Sequence, residues 1–150
     1  MKKVVVLVFL FISFQVIAQN LYFGIPHTKI DSSDIIILNE IHWENGFANF
    51  SDIGMHQLEE LSFFLSEIKG RAIEIRIYSF HSKDTIFNRA ITEMVADRIY
   101  KFLIGQNDNL KTVLSVNPQG SSIPLFCKDD NAFLFRMNTR IEVQIGGCVR

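Results

Sequence analysis

Apolar and polar positions along this chain follow three rhythms, and each predicts a different element. Residues 4–14 are an almost unbroken apolar run behind Lys2 and Lys3, and Val16-Ile17-Ala18 places small residues ahead of Gln19. A positive start, an apolar middle and a small-residue end form a secretory signal peptide, with cleavage expected after Ala18. The run is short against the roughly 20 residues of a bilayer-spanning helix. Removal is therefore the first reading of residues 1–18 and a retained anchor the alternative. No Cys follows the run, so a lipoprotein anchor is not expected.

Residues 19–33 are mixed, contain Pro26 and read as a short lead-in, with ordered structure expected from Asp34. Residues 35–43 are apolar and β-branched at first, a strand candidate broken by Asn45-Gly46. Ser51 can N-cap a helix in which Leu58, Leu61, Leu65 and Ile68 recur at steps of three and four, with Glu59, Glu60, Ser62 and Glu67 elsewhere. Gly70 ends it. Phe63 falls toward the polar side, either as a lone exposed aromatic or as part of a contact surface.

A period-two strand follows, with Ile73, Ile75 and Ile77 on one face and Glu74, Arg76 and Tyr78 on the other. After the polar loop at 81–84, a second helix is expected to carry Phe87, Ile91, Met94, Val95, Ile99 and Phe102 on its apolar face and to stop at Gly105. Arg98 projects from within that face, where it either snorkels to solvent along its stem or serves a ligand. Residues 110–116 read as a third strand, 118–124 as a loop and 131–137 as a short helix. Residues 139–145 form a closing strand with Ile141, Val143 and Ile145 facing one way. The order β-α-β-α-β-(α)-β predicts an α+β domain, an α/β sandwich with helices packed on one mixed sheet. The domain is expected over 34–146, with a tail at 147–150.

Composition narrows the function. Removing the signal leaves about 130 residues, enough for one modest core. The chain carries 15 Lys and Arg against 16 Asp and Glu with no basic block, so nucleic acid is a poor partner. No second long apolar segment follows the signal, so no transmembrane span is expected after its removal. The four histidines lack the paired spacing of metal sites. Phosphate loop, nucleophile elbow and cysteine–base pair are all missing, and Glu59-Glu60 reads as a solvated helix face, so neither enzyme activity nor a cofactor is expected. Cys127 and Cys148 lie in the exported part, where an oxidising compartment permits a bridge worth on the order of 3 kcal/mol. Two unpaired thiols are the alternative.

Residues 72–103 carry a family pattern. Asn88, Ile91-Thr92, Val95-Ala96, Ile99 and Leu103 follow, without gaps, the Asn, Leu-Ser, Arg-Ala, Val and Leu of one helix. Gly120 precedes a turn containing Pro124, and Asn138-Thr139-Arg140-Ile141-Glu142 matches a closing Asn-Arg-Arg-Val-Glu. In this order the segments resemble the C-terminal peptidoglycan-binding domain of the OmpA-like family, over essentially the whole span from Ile35 to Ile145. The resemblance implies a cell-envelope location, periplasmic or associated with the outer membrane.

In that family the second strand ends in Gly, an aromatic or His, Thr and Asp, and this Asp works with the helix Arg to hold the zwitterionic end of diaminopimelate. A carboxylate meets the ammonium and a guanidinium fork meets the carboxylate. Here the strand-end positions are Ile77, Tyr78, Ser79 and Phe80, and Val95 stands at the Arg position. Losing a buried charge partner costs about 2–5 kcal/mol, so losing both predicts binding weaker by several powers of ten. The ligand positions carried over are Tyr78, Ser79, Phe80, Asn88, Val95 and Arg140, with Asp84 and Arg98 as possible substitutes for the lost charges. Asn88 also has a structural use as a loop or helix-start cap, and Arg140 as an outward strand residue. Two functions follow: a degenerate domain reused as a structural or protein-interaction part of the envelope, favoured because Phe80 and Val95 are apolar, or a peptidoglycan-binding module with an altered site.

Overall fold

The computed structural model describes residues 21–26, 30–32, 34–38, 41, 50–125 and 137–148. The signal segment, Cys127 and all but Met137 of the expected helix at 131–137 lie outside these residues, as does the side chain of Cys148. The proposed bridge therefore falls outside them too.

Strands β1 (Leu21–Phe23), β2 (Ile35–Leu38), β3 (Arg71–Tyr78), β4 (Leu114–Gly120) and β5 (Arg140–Cys148) form one sheet in the order β1-β2-β5-β3-β4. Pairs β1·β2 and β3·β4 are parallel, while β5 lies antiparallel between β2 and β3. Helices α1 (Asp52–Glu67) and α2 (Thr85–Gln106) complete an α+β domain. Among the described residues no helix is long and apolar enough to cross a membrane.

The period-two pattern produces the core directly. Ile73 and Ile75 of β3 pair with Ile145 and Val143 of β5, Ile77 pairs with Ile141, and all six are at most 1% exposed. Each such side chain contributes roughly 1.5–3 kcal/mol on burial. Leu58, Leu61 and Leu65 of α1 and Ile91, Val95, Ile99 and Leu103 of α2 belong to the same cluster. Ser51 caps α1 as expected, its hydroxyl accepting from Gly54 N at 3.1 Å. Gly70 takes φ +67° just beyond the helix end.

Four expectations change. The lead-in contributes β1, which pairs in parallel with β2, so order begins ahead of Asp34. Residues 108–112 form a 3-10 helix, capped when Asn107 Oδ1 accepts from Asn109 N, and the third strand starts only at Leu114. That strand runs on through Pro118, tolerated because β4 is an edge strand. Helix α2 continues past Gly105 to Gln106.

The buried face of α2 is also rotated from the expected one. Phe87 and Met94 are 43% and 48% exposed, whereas Asn88 and Thr92 are fully buried. Apolar periodicity cannot reveal this, because the two polar side chains enter the core only with internal hydrogen-bond partners, which remove most of the burial cost.

Candidate functional site

Of the positions that the resemblance assigns to a ligand, Ser79, Phe80 and Asn88 lie where β3 ends and α2 begins, whereas Val95 lies further along α2 and Arg140 on β5. Asp84 N-caps α2, its Oδ1 accepting from Ile86 N at 2.9 Å and Phe87 N at 3.2 Å. One turn later Asn88 reaches back into the connecting loop. Its Nδ2 donates to Ser82 O at 2.7 Å and its Oδ1 accepts from Ser82 N at 3.1 Å, with the Ser79 hydroxyl 3.4 Å away. These bonds occupy the amide from both ends, and Asn88 serves as a clamp on the loop.

Neighbouring bonds close the same corner. Ser79 N donates to Gly120 O at 2.8 Å, and Gly120 N donates to Thr92 Oγ1 at 3.1 Å. Gly120 has φ +59°, a left-handed conformation that favours glycine, and it packs against the Arg89 backbone. Phe80 is half-buried, its N–H donating to Thr139 Oγ1 at 2.9 Å. Ile77 and Val95 are both 0% exposed. At the two positions that the resemblance assigns to a close-approach glycine and a ligand-facing arginine, Ile77 and Val95 are core side chains.

The two possible substitutes do not converge. Asp84 and Arg98 sit fourteen positions apart on one helix, a rise of about 21 Å. Arg98 instead lines a cleft with Phe50, Met55, Lys101 and Phe102.

Arg140, expected to point outward, is buried at 3% exposure on the sheet face opposite the helices. Its Nε and Nη2 lie 2.8 and 2.7 Å from Glu142 Oε1, and its Nη1 donates to Asn138 O at 3.0 Å and Ile123 O at 3.2 Å. The guanidinium carbon lies over the ring of Tyr78, the residue opposite on β3. Arg76 extends the network, with Nη1 3.8 Å from Glu142 Oε2, Nε 3.7 Å from Glu74 Oε2 and a hydrogen bond to Gln144 Oε1. Burial pushes the Tyr78 hydroxyl above its ordinary pKa of 10.0, reinforced by the Glu142 charge and opposed by Arg140 and Arg76. Two guanidinium and two carboxylate groups thus compensate one another across β3 and β5. Arg140 spends its donors inside the protein, holding residues 123 and 138 against the sheet.

Sequence reasoning gave no role to Glu142, Asn138, Thr92 or Thr139. Glu142 was legible: its alternation with Arg140 and Gln144 puts them on one face of β5, opposite the polar face Glu74-Arg76-Tyr78 of β3. Asn138, whose Oδ1 accepts from Leu125 N at 2.7 Å, joins segments thirteen residues apart and carries no local signal.

No protein-family model matches the chain, and no curated protein matches it in sequence. Solved structures do match in fold. The periplasmic domain of Helicobacter pylori MotB superposes with a TM-score of 0.62 at 20% identity, covering 75% of this chain and 81% of that one. The cell wall anchor of the T6SS from Pseudomonas aeruginosa gives 0.60 at 15% identity, over 77% of this chain and 80% of the other. The peptidoglycan-associated lipoprotein from Burkholderia pseudomallei gives 0.57 at 13% identity, over 70% and 87%. The fold is the OmpA-like one that these structures share.

Proposed function

We propose that this OmpA-like fold serves as a non-catalytic module of the cell envelope, exported to the periplasm or the outer-membrane surface, and that it works through protein or structural contacts in place of a grip on diaminopimelate. The observation that carries this reading is the complete burial of Ile77 and Val95 at the gripping positions. With Asn88 closed on Ser82 and Arg140 closed on Glu142, the polar groups still at family positions are already committed within the chain. A zwitterionic ligand entering this corner would have to break those bonds, and buried Val95 would offer it no guanidinium at the position of the family's helix arginine.

Sedimentation with purified sacculi containing diaminopimelate tests the proposal. The unmodified domain is expected to stay in the supernatant. Cosedimentation competed away by free diaminopimelate peptide would refute the reading and establish the second one, peptidoglycan binding at an altered site. That second reading draws on the relatives described as a cell wall anchor and a peptidoglycan-associated lipoprotein. Export with cleavage after Ala18 is tested by intact mass of the envelope form, and a Cys127–Cys148 bridge by non-reducing peptide mapping.

A further inference from the structure

Helix α1 carries Asp52, Glu59, Glu60 and Glu67 and no Lys or Arg. Its outward side, together with Ile25 and Pro26, forms a groove of about 510 Å³ in which Phe63 and Phe64 are flanked by Glu59, Glu60 and Glu67. Phe63 is 73% exposed. His56 also lines the groove, 3.9 Å from Glu60, and a large aromatic left in water among three carboxylates marks a contact surface better than a solvated face.

A surface of the opposite character lies on the other flank of the same helix. The cleft of about 500 Å³ between α1 and α2 is floored by Phe50, Met55 and Phe102 and edged by the exposed Arg98 and Lys101. Lys101 Nζ is 2.7 Å from Asp97, an exposed pair one helical turn apart, too weak to keep the ammonium from a better partner. Both surfaces have an apolar floor, they are opposite in charge, and the exposed Phe63 supplies a side chain that can enter the cleft.

We infer that the acidic aromatic groove of one copy docks on the basic cleft of a second copy. The contact joins unlike surfaces, so two copies can make it twice about a twofold axis, or make it once and leave a groove on one copy and a cleft on the other open for head-to-tail growth. This names a partner for the interaction role proposed above. The two ideas can fail separately, because sacculus sedimentation reads the ligand corner and self-association reads the α1 surfaces.

The experiment is sedimentation velocity of the exported chain over a concentration series, at about 0.05 M and about 0.5 M salt, which screen charges over very different distances. The average sedimentation coefficient is expected to rise with concentration at low salt and to fall back at high salt. Glu59→Lys/Glu67→Lys, which makes both surfaces basic, and Arg98→Glu/Lys101→Glu, which makes both acidic, are each expected to stay monomeric. Mixed in equal amounts they are expected to associate again, because each variant then offers what the other lacks. A monomeric wild type at low salt, single variants that associate like wild type, or a mixture that stays monomeric overturns the inference. Thermal melts confirm that the variants fold. If one does not, Phe63→Ser takes its place, with association expected to weaken about tenfold from the lost apolar contact.

Discussion

The guanidinium carbon of Arg140 stands 3.9 Å from the centroid of the Tyr78 ring, across a paired position of β5 and β3. A desolvated cation over an aromatic face is worth up to about 2 kcal/mol, and here the same cation also answers Glu142. The Arg140 and Glu142 side chains are 2% and 7% exposed, so neither can turn to solvent if the other is removed.

Arg140→Met should therefore destabilise the domain by about 3–5 kcal/mol, mainly by leaving the Glu142 carboxylate buried with only the more distant Arg76. Arg140→Lys should recover little, since an ammonium cannot reproduce the fork to Glu142, Asn138 O and Ile123 O. Urea unfolding reads both. A loss below about 1 kcal/mol for Arg140→Met would mean that the network carries no net stability.

Tyr78 sets an alkaline limit. Its folded-state pKa is raised above 10.0 by burial, so folded and unfolded chains both hold the proton at lower pH and the group adds no pH dependence there. As pH rises past 10.0 the unfolded chain loses this proton first, and stability falls until the folded-state pKa is passed. Tyr78→Phe should remove that part of the alkaline slope while leaving the profile near neutrality parallel to wild type. Identical slopes above pH 10 in the two proteins would count against a buried, protonated Tyr78.

Asn88→Ala should cost about 1–3 kcal/mol, because it leaves the half-buried Ser82 N–H and C=O without their partner. Asn88→Asp keeps the acceptor but sets a carboxylate against Ser82 O, and it should not rescue stability. Hydrogen exchange at Ser82, faster in both variants than in wild type, is the local readout. Unchanged protection there would show that the loop is held by something other than this amide.

Rebuilding the family grip should collide with the core. Val95→Arg puts a cation where Val95 is 0% exposed, and Ile77→Gly empties a fully buried site in a central strand. Each should cost roughly 3 kcal/mol or more. The triple change Ile77→Gly, Phe80→Asp, Val95→Arg should consequently melt far below wild type, and sacculus binding should return, in part, only if the fold survives. Phe80→Asp alone, at a half-buried position, should be tolerated. A triple variant as stable as wild type would show that the corner retains the space of a ligand site.

Where one face of an element is plainly apolar, the sequence was legible. Ile73-Ile75-Ile77, the leucines of α1 and Ile141-Val143-Ile145 reach the core as their spacing implies. Asn88 and Gly120, two positions of the family pattern, both bond to the segment after β3, Asn88 to Ser82 and Gly120 to Ser79. What local pattern could not show were burials made cheap by distant partners. Thr92 is buried because Gly120, twenty-eight residues on, supplies its donor, and Arg140 because Glu142 and the carbonyl of Ile123 surround it. Strand β1 escaped because three residues are too few for a period, and their pairing with β2 is decided across the intervening loop.

The central place of β5 bears on how the chain reaches its native state. The last strand in the order of synthesis is inserted between β2 and β3, and Ile36 must find Val143 across more than a hundred intervening residues. Contacts that distant in sequence make for slow folding. Until residues 140–148 have been made, β2 and β3 each present an unpaired, isoleucine-rich edge. A polypeptide still lacking β5 is exposed to edge-to-edge aggregation, and a chaperone that held it until the last strand inserted would cover its most vulnerable interval.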